Sequence, residues 1–398
     1  MLKRKKISAE IEIEKFASEH YGVEYEEDDY DADGDDDVDE PQPFDPEKIR
    51  VDQQMLSLKY VYELMTDGLL NISPDFQRSR VWRDNKRKSR LIESLILRIP
   101  IPAFYFYEDV DSKYTVIDGQ QRLSTIHEFL NGKFRLTGLE YLDTECRGKK
   151  FKDLDPKFKQ RIYRTQVAVN IMDARSPKKV IFDIFRRVNT GGVPLNKQEM
   201  RNALCSDRVR DFLKSASRCD EFVAATRGKI NDNRMDAQEM VLRFVAFYEA
   251  YDYEKEIIKS IPSSLVSLLD EHVDILNKAS VETLDHYKKI FAVALTRAYA
   301  LFGEYCFSKI TLDASTGDIY PSAVINKSLF SSFTVILANN KFDGLDLLPY
   351  RDVALKELAD LLEDPDYANS LTIGTGDRAR IKTNFNFSNE VIRACQIQ

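Results

Sequence analysis

The stretch Tyr114-Thr115-Val116-Ile117-Asp118-Gly119-Gln120-Gln121-Arg122-Leu123 decides how this chain is read. Its first four residues form an apolar, β-branched run suited to a strand, and from Leu123 onward the apolar positions recur at helical spacing. The polar turn between them therefore ends a strand and starts a helix. The first turn of such a helix presents backbone N–H groups without intrahelical acceptors, together with the positive end of the helix dipole, so an anion suits it. Gly119 admits a tight or left-handed backbone, Arg122 offers a planar fork for two phosphate oxygens, and Asp118 suits a divalent cation bridging the same phosphates. Gln120 and Gln121 each carry a donor and an acceptor, one for a base or sugar edge and the other for a water. The alternative reading of these residues is a plain polar turn, which is commonplace.

Outward from that turn, a length of 398 residues exceeds what one hydrophobic core usually serves, so two folded domains and a tail are expected. The start, Met1-Leu2-Lys3-Arg4-Lys5-Lys6, is not followed by the apolar stretch of a signal peptide. No run approaches the roughly 18 apolar residues of a membrane span. A cytoplasmic chain without membrane association is expected. The five cysteines are widely spread without a CxxC pair, which argues against a disulfide framework or a zinc site. Between Glu24 and Glu40 there are twelve acids and no base; with those set aside, 58 bases face 54 acids, so the body is mildly basic although the chain carries −8. Residues 1–43 are accordingly expected to be a disordered acidic tail, removable without loss of packed core. Such a tail either solubilises or shields a basic groove as a tethered polyanion.

In the domain expected over residues 44–205, Ser57 caps a helix through Met65. Asp84 caps a helix that buries Leu91, Ile92, Leu95 and Ile96 and turns Lys86, Arg87, Lys88, Arg90 and Arg98 outward, as solvated surface or as a phosphate track. Strands are expected over 103–107, 114–117 and 166–172, and Asn131-Gly132 stops the central helix. Ser176-Pro177 starts another helix, Asn189-Thr190-Gly191-Gly192 ends it, and Asn196 caps the next with Glu199 as its box partner. Beyond 206 only helical stripes are read, so an all-helical domain is expected over 206–398. Within it, Thr372–Arg378 with Arg380 and Lys382 forms a second basic, glycine-containing loop that fits a phosphate. The histidines, His20, His127, His272 and His286, fall at no metal-ligand or triad spacing.

Four motifs occur in order: Pro74-Asp75-Phe76-Gln77-Arg78 with Val81-Trp82; Leu91-Ile92-Glu93-Ser94 with Ile99-Pro100-Ile101-Pro102; Asp118 to Arg122; and Val188-Asn189-Thr190-Gly191-Gly192. Together they resemble the amino-terminal domain of GmrSD-type modification-dependent restriction endonucleases, and Arg234-Met235-Asp236 with Val241-Leu242-Arg243-Phe244 is similar to the helical part that follows there. The resemblance implies an α+β chain, in which a ParB/sulfiredoxin-like α/β domain precedes the all-helical one. It further implies that the DGQQR motif binds and hydrolyses a nucleoside triphosphate with Mg2+, in bacterial defence against phage and modified DNA. By the same resemblance Asp118, Gln120, Gln121 and Arg122 are catalytic, with Asp118 on the metal. Gln77, Arg78, Gly119, Arg122 and Asn189 hold the nucleotide. DNA is the implied partner, with a nuclease subunit in trans, because the histidines here do not supply the His-Asn-His nuclease that many relatives carry. Two alternatives stand beside this reading: an adaptor that senses a nucleotide or a DNA phosphate without turnover, and a ParB-like domain that cuts DNA itself.

Overall fold

Ser57 starts the first helix: its hydroxyl accepts the Tyr60 N–H at 3.2 Å, so strand β1 (Val51–Ser57) passes directly into helix α1 (Leu58–Thr66). This is a computed structural model, and it describes residues 22–24, 50–72, 82, 84–109, 112–173, 175–176, 181, 184, 196–230, 232–259, 261–262, 264–313 and 315–396. The chain divides into two units, Pro41–Leu204 and Cys205–Gln398, the second including residues 22–24 from the amino-terminal side. The expected Gln77, Arg78 and Asn189 positions, and the helix start at Ser176-Pro177, lie wholly or partly outside the described residues.

The first unit is mixed α/β. After β2 (Leu70–Asn71) come α2 (Asn85–Leu97), β3 (Phe104–Glu108), β4 (Tyr114–Asp118), α3 (Gln120–Leu130), α4 (Pro156–Arg164), β5 (Gln166–Asp173) and α5 (Lys197–Leu204). The strands form one sheet in the order β1-β5-β3-β4-β2. Pairs β1–β5 and β3–β4 are antiparallel, whereas β3–β5 and β2–β4 are parallel. Strands β3, β4 and β5 match the sequence pattern, whereas β1 and β2 carry no such signal. β1 is an edge strand with the sequence VDQQMLS and a largely exposed surface, so it lacks apolar alternation. The core gathers Phe104, Phe106, Val116, Leu123, Ile126, Phe129 and Val169 with the α1 and α2 stripes, including Leu91, Ile92, Leu95 and Ile96 as expected. The capping box at α5 is also present: Asn196 Oδ1 accepts the Glu199 N–H at 2.7 Å and the Glu199 carboxylate accepts the Asn196 N–H at 2.8 Å.

Glu93 lies on α2 but points into the protein, 4% exposed. Its carboxylate accepts three successive backbone N–H groups, Glu140 at 2.9 Å, Tyr141 at 2.7 Å and Leu142 at 2.8 Å. Burial pushes the Glu93 carboxyl up, but those three donors and the nearby Arg90 outweigh it and hold it below the usual range. The segment from Asn131 to Asp155, otherwise poor in regular structure, is thereby stapled to the helix.

The second unit is mostly helical: α6 (Asp207–Ala216), α7 (Asp220–Ala225), α8 (Asp236–Ala250), α9 (Leu265–Lys278), α10 (Val281–Phe302), α11 (Lys327–Leu337), α12 (Arg351–Leu362), α13 (Pro365–Ser370) and α14 (Arg378–Ala394). The expectation of an all-helical domain is corrected by two antiparallel pairs, Tyr251–Asp252 with Ile257–Ile258 and Ile310–Leu312 with Ile319–Pro321. Segments of two or three residues are too short to show a period of two. Among the described residues no helix is long and apolar enough to cross a membrane. Lys327 Nζ, 3.0 Å from Asp236 and 3.5 Å from Glu239, joins α11 to α8, where Arg243 pairs with Glu239 at 2.6 Å. All four groups are largely buried, which gives the Asp236 to Arg243 motif a structural reason.

A second correction concerns the acidic tail. Val23 bridges Ile325 in parallel, with the Ile325 N–H donating to Gly22 O at 3.0 Å and the Glu24 N–H donating to Ile325 O at 2.7 Å. Val23 and Glu24 are each 4% exposed, and the Glu24 carboxylate accepts from Asn326 Nδ2 at 2.8 Å and from Lys309. The first acid of the run is therefore a packed, paired group, and removal of residues 1–43 strips a bridge from the second unit. The acidic count alone hid this, because burial of a carboxylate depends on partners nearly 300 residues away.

Glu24→Ala is expected to lower unfolding stability by about 2 kcal/mol, since it takes one acceptor from each of Lys309 and Asn326 and leaves them only Thr372 Oγ1 and Leu371 O; an unchanged urea midpoint would contradict the bridge. Glu93→Ala is expected to cost about 2–3 kcal/mol at neutral pH. The folded Glu93 pKa lies below its unfolded value. The stabilisation is therefore complete above the unfolded pKa and fades as pH falls through the folded one. Denaturation curves of wild type and variant should converge on acidification, and a constant gap would contradict the staple.

Candidate functional site

Gly119 has φ +95° and ψ 8°, a left-handed conformation between β4 and α3. A Cβ on it would lie 2.2 Å from one carbon of the Phe104 ring and 2.7 Å from the next. Glycine is thus required twice, by backbone angle and by space. Beside the turn, the β3–β4 register shifts between Tyr105 and Phe106, leaving Tyr105 opposite Asp118. Such a bulge re-aims a strand end.

Helix α3 begins at Gln120 with no side-chain cap on its N-terminus. Its first N–H groups, those of Gln120, Gln121 and Arg122, have no carbonyl of the helix to bond. Elsewhere Ser57, Asp84, Ser206, Ser264, Ser280 and Asn326 each bond the first turn of the helix they open, whereas α7, α8 and α12, like α3, start without a bond from the capping side chain. Gln120 is 5% exposed, and its Nε2 is buried with no hydrogen-bond acceptor. A buried amide donor left unsatisfied costs about 1–3 kcal/mol, and Gln120 Nε2 shares that state with Trp82 Nε1, the Gln198 amide and Thr375 Oγ1. Gln121 is half-buried next to it.

Arg122 is placed differently from the open phosphate fork expected of it. Its guanidinium donates to Pro102 O, to Ala103 O at 3.1 Å and to Asp118 Oδ2 at 2.8 Å, and stacks over the Phe104 ring at 4.6 Å. The side chain is 13% exposed. Burial lowers the Arg122 pKa, and Asp118 works against that shift. The expected planar fork for two phosphate oxygens is therefore corrected: Arg122 ties the end of β4 to the Pro102–Ala103 loop. Side-chain chemistry alone gave no signal of this, because the acceptors are two backbone carbonyls; the short run Ile99-Pro100-Ile101-Pro102 ahead of β3 was the only sign of a fixed loop.

Asp118 shares one carboxylate oxygen with Arg122 and keeps Oδ1 without a partner among the described residues. Among those residues no group of three or more His, Cys, Asp or Glu stands together to hold a metal ion. One carboxylate does fit magnesium, which commonly takes one or two protein oxygens and fills its other positions with waters and phosphates. The second phosphate candidate, Thr372–Arg378, is corrected. Asp377 caps α14, accepting the Ala379 N–H at 2.7 Å and the Arg380 N–H at 3.2 Å, so a carboxylate already occupies that helix end. His272 is buried with Nδ1 2.8 Å from Leu268 O, and His127 lies 5.8 Å from the Tyr62 ring; neither is near an acid pair. All five cysteines are free.

Residues 61–206, a span that includes the Gly119 turn, match the family model described as GmrSD restriction endonuclease, N-terminal domain. No curated protein and no solved structure matches the chain.

Gly119→Ala is expected to destabilise the first unit by about 3 kcal/mol through strain and overlap with Phe104. Arg122→Ala is expected to cost about 2 kcal/mol by orphaning two carbonyls and Asp118. Thermal melts of both variants check this, and wild-type melting of either would contradict the packing described.

Proposed function

We propose that this GmrSD restriction endonuclease amino-terminal domain binds a nucleoside triphosphate at the Gly119 turn and hydrolyses it, within a restriction system that acts on DNA. The observation that carries the reading is the uncapped start of α3 beside the buried, unpartnered Gln120 amide. Phosphate oxygens would accept from the Gln120, Gln121 and Arg122 backbone N–H groups and from Gln120 Nε2. Gln121 is then the glutamine left to orient an attacking water, and Arg122 acts by fixing the turn rather than as the main phosphate ligand. A magnesium ion on Asp118 would supply neutralisation of the phosphate charge. Gly119 keeps the backbone close enough for these contacts. Cleavage of DNA is assigned to a nuclease in trans, because His20, His127, His272 and His286 do not fall in a His-Asn-His pattern.

The engagement of Arg122 by Pro102, Ala103 and Asp118 favours a second reading, a module that binds the nucleotide and signals without turnover. Phosphate release by the pure chain, with and without DNA, separates the two.

Gln120→Met tests the site itself. It removes an unsatisfied donor while conserving volume, so the melting temperature is expected to hold or rise. Nucleotide affinity is expected to fall about tenfold or more, the effect of losing one hydrogen bond to a charged group. Calorimetric titration with wild-type affinity in a folded Gln120→Met chain would remove the site from this turn.

A further inference from the structure

The other end of α3 carries a different chemistry. Residues 133–164 hold ten bases against five acids. Some of these charges are neutralised in place: Arg147 pairs with Asp143 at 3.5 Å and Lys157 with Asp155 at 3.6 Å. Lys149, Lys150, Lys152 and Lys159 have no acidic partner among the described residues, and neither do Arg135 and Lys86.

Packing joins these six into one surface. The Lys86 stem lies over Gly138, where a Cβ would come within 2.8 Å of it. Arg135 donates to Gly148 O at 2.9 Å, and Leu136 exchanges backbone bonds with the same strip, its N–H to Lys149 O at 3.0 Å and its O from the Gly148 N–H at 2.8 Å. The Lys150 stem runs past Gly132, just beyond the end of α3, and Lys159 Nζ donates to Lys152 O at 2.7 Å. Glu93 holds the intervening residues 140–142 to α2. The basic strip is therefore held by backbone pairing and a buried carboxylate rather than hung on a loose loop.

Gathered ammonium groups repel one another, and the five acids of the stretch offset only part of that repulsion. Some of it is relieved by the negative end of the α3 dipole, which attracts cations to Lys133 and its neighbours. That effect reaches only about the last turn of the helix, so it does not account for Lys152 or Lys159. A polyanion with closely spaced charges does. We propose that the surface formed by Lys86, Arg135, Lys149, Lys150, Lys152 and Lys159 binds the sugar-phosphate backbone of DNA, without reading its sequence. The choice of DNA among polyanions rests on the restriction-system reading above; the surface rests on the geometry alone. With eleven residues in α3, the DNA surface and the Gly119 turn would stand about 16 Å apart at opposite ends of one helix, the length given by its rise per residue. Nucleotide and DNA phosphates would then address the same rigid element without competing for the same groups.

The test uses the full chain with a triple substitution, Lys149→Ala with Lys150→Ala and Lys152→Ala, against a control that removes three exposed lysines of the second unit, Lys255→Ala with Lys289→Ala and Lys356→Ala. Binding of a duplex DNA probe and a duplex RNA probe of equal length is followed by fluorescence anisotropy across a salt titration, and nucleotide affinity is measured in parallel. The strip variant is expected to bind DNA about tenfold or more weakly, with the slope of log K against log salt shallower by about 0.9 for each phosphate no longer neutralised. The control is expected to bind as wild type, and nucleotide affinity and melting temperature to stay unchanged. DNA affinity and salt slope equal to wild type in the strip variant would overturn the proposal, as would wild-type chain that binds no DNA. Preference for RNA over DNA would assign the surface to RNA instead, and a lowered melting temperature with unchanged DNA affinity would assign the lysines to the fold. Because the nucleotide titration is separate, failure of the DNA surface leaves the Gly119 reading standing, and the reverse.

Discussion

The close passage of Gly119 over the Phe104 ring is the packing feature that seats everything else in the site. It brings the end of β4 down onto β3, and no residue with a Cβ can take that place. Once the turn is seated, Arg122 sits over the same ring and reaches the Pro102 and Ala103 carbonyls, while Asp118 closes the pair. Strand, turn and loop become one rigid corner. The first turn of α3, buried or half-buried, is left without a side-chain cap on its N–H groups.

That corner divides labour between two kinds of group. The charged residues of the motif are mainly used to build it, whereas the neutral ones, the backbone amides and Gln120, are the groups that the proposed phosphate reading calls on. A folded protein that leaves a buried amide donor unsatisfied carries a cost of about 1–3 kcal/mol. The same chain uses caps freely elsewhere, and even its second glycine-rich helix start is closed by Asp377. The two helix starts thus differ in capping: Asp377 closes α14, whereas α3 has no side-chain cap.

The parts of this arrangement that the sequence made legible are those governed by local rules. Ser57, Asp84 and the Asn196 and Glu199 pair cap helices as their positions suggest, and β3, β4 and β5 follow their apolar runs. What stayed hidden depends on partners distant in the chain. The edge strand β1 has no apolar pattern because none of its seven residues is buried on either face, the short pairs of the second unit have no length over which to alternate, and Glu24 reads as one acid among twelve until Asn326 and Lys309 are brought to it. Arg122 was legible as a cation and not as a structural tie, since backbone carbonyls leave no trace in a sequence. Glu93 illustrates the same limit from the other side, a charged residue on an apolar stripe whose reason is three N–H groups some fifty residues on.

If the open start of α3 is the phosphate site, a crystal structure of the chain with magnesium and a non-hydrolysable nucleoside triphosphate analogue should show it. Phosphate oxygens are expected within hydrogen-bond distance of the Gln120 and Gln121 backbone N–H groups and of Gln120 Nε2, with Arg122 still bonded to Pro102 and Ala103. A nucleotide bound elsewhere, with the first turn of α3 solvated and the Gln120 amide still unpaired, would contradict that assignment.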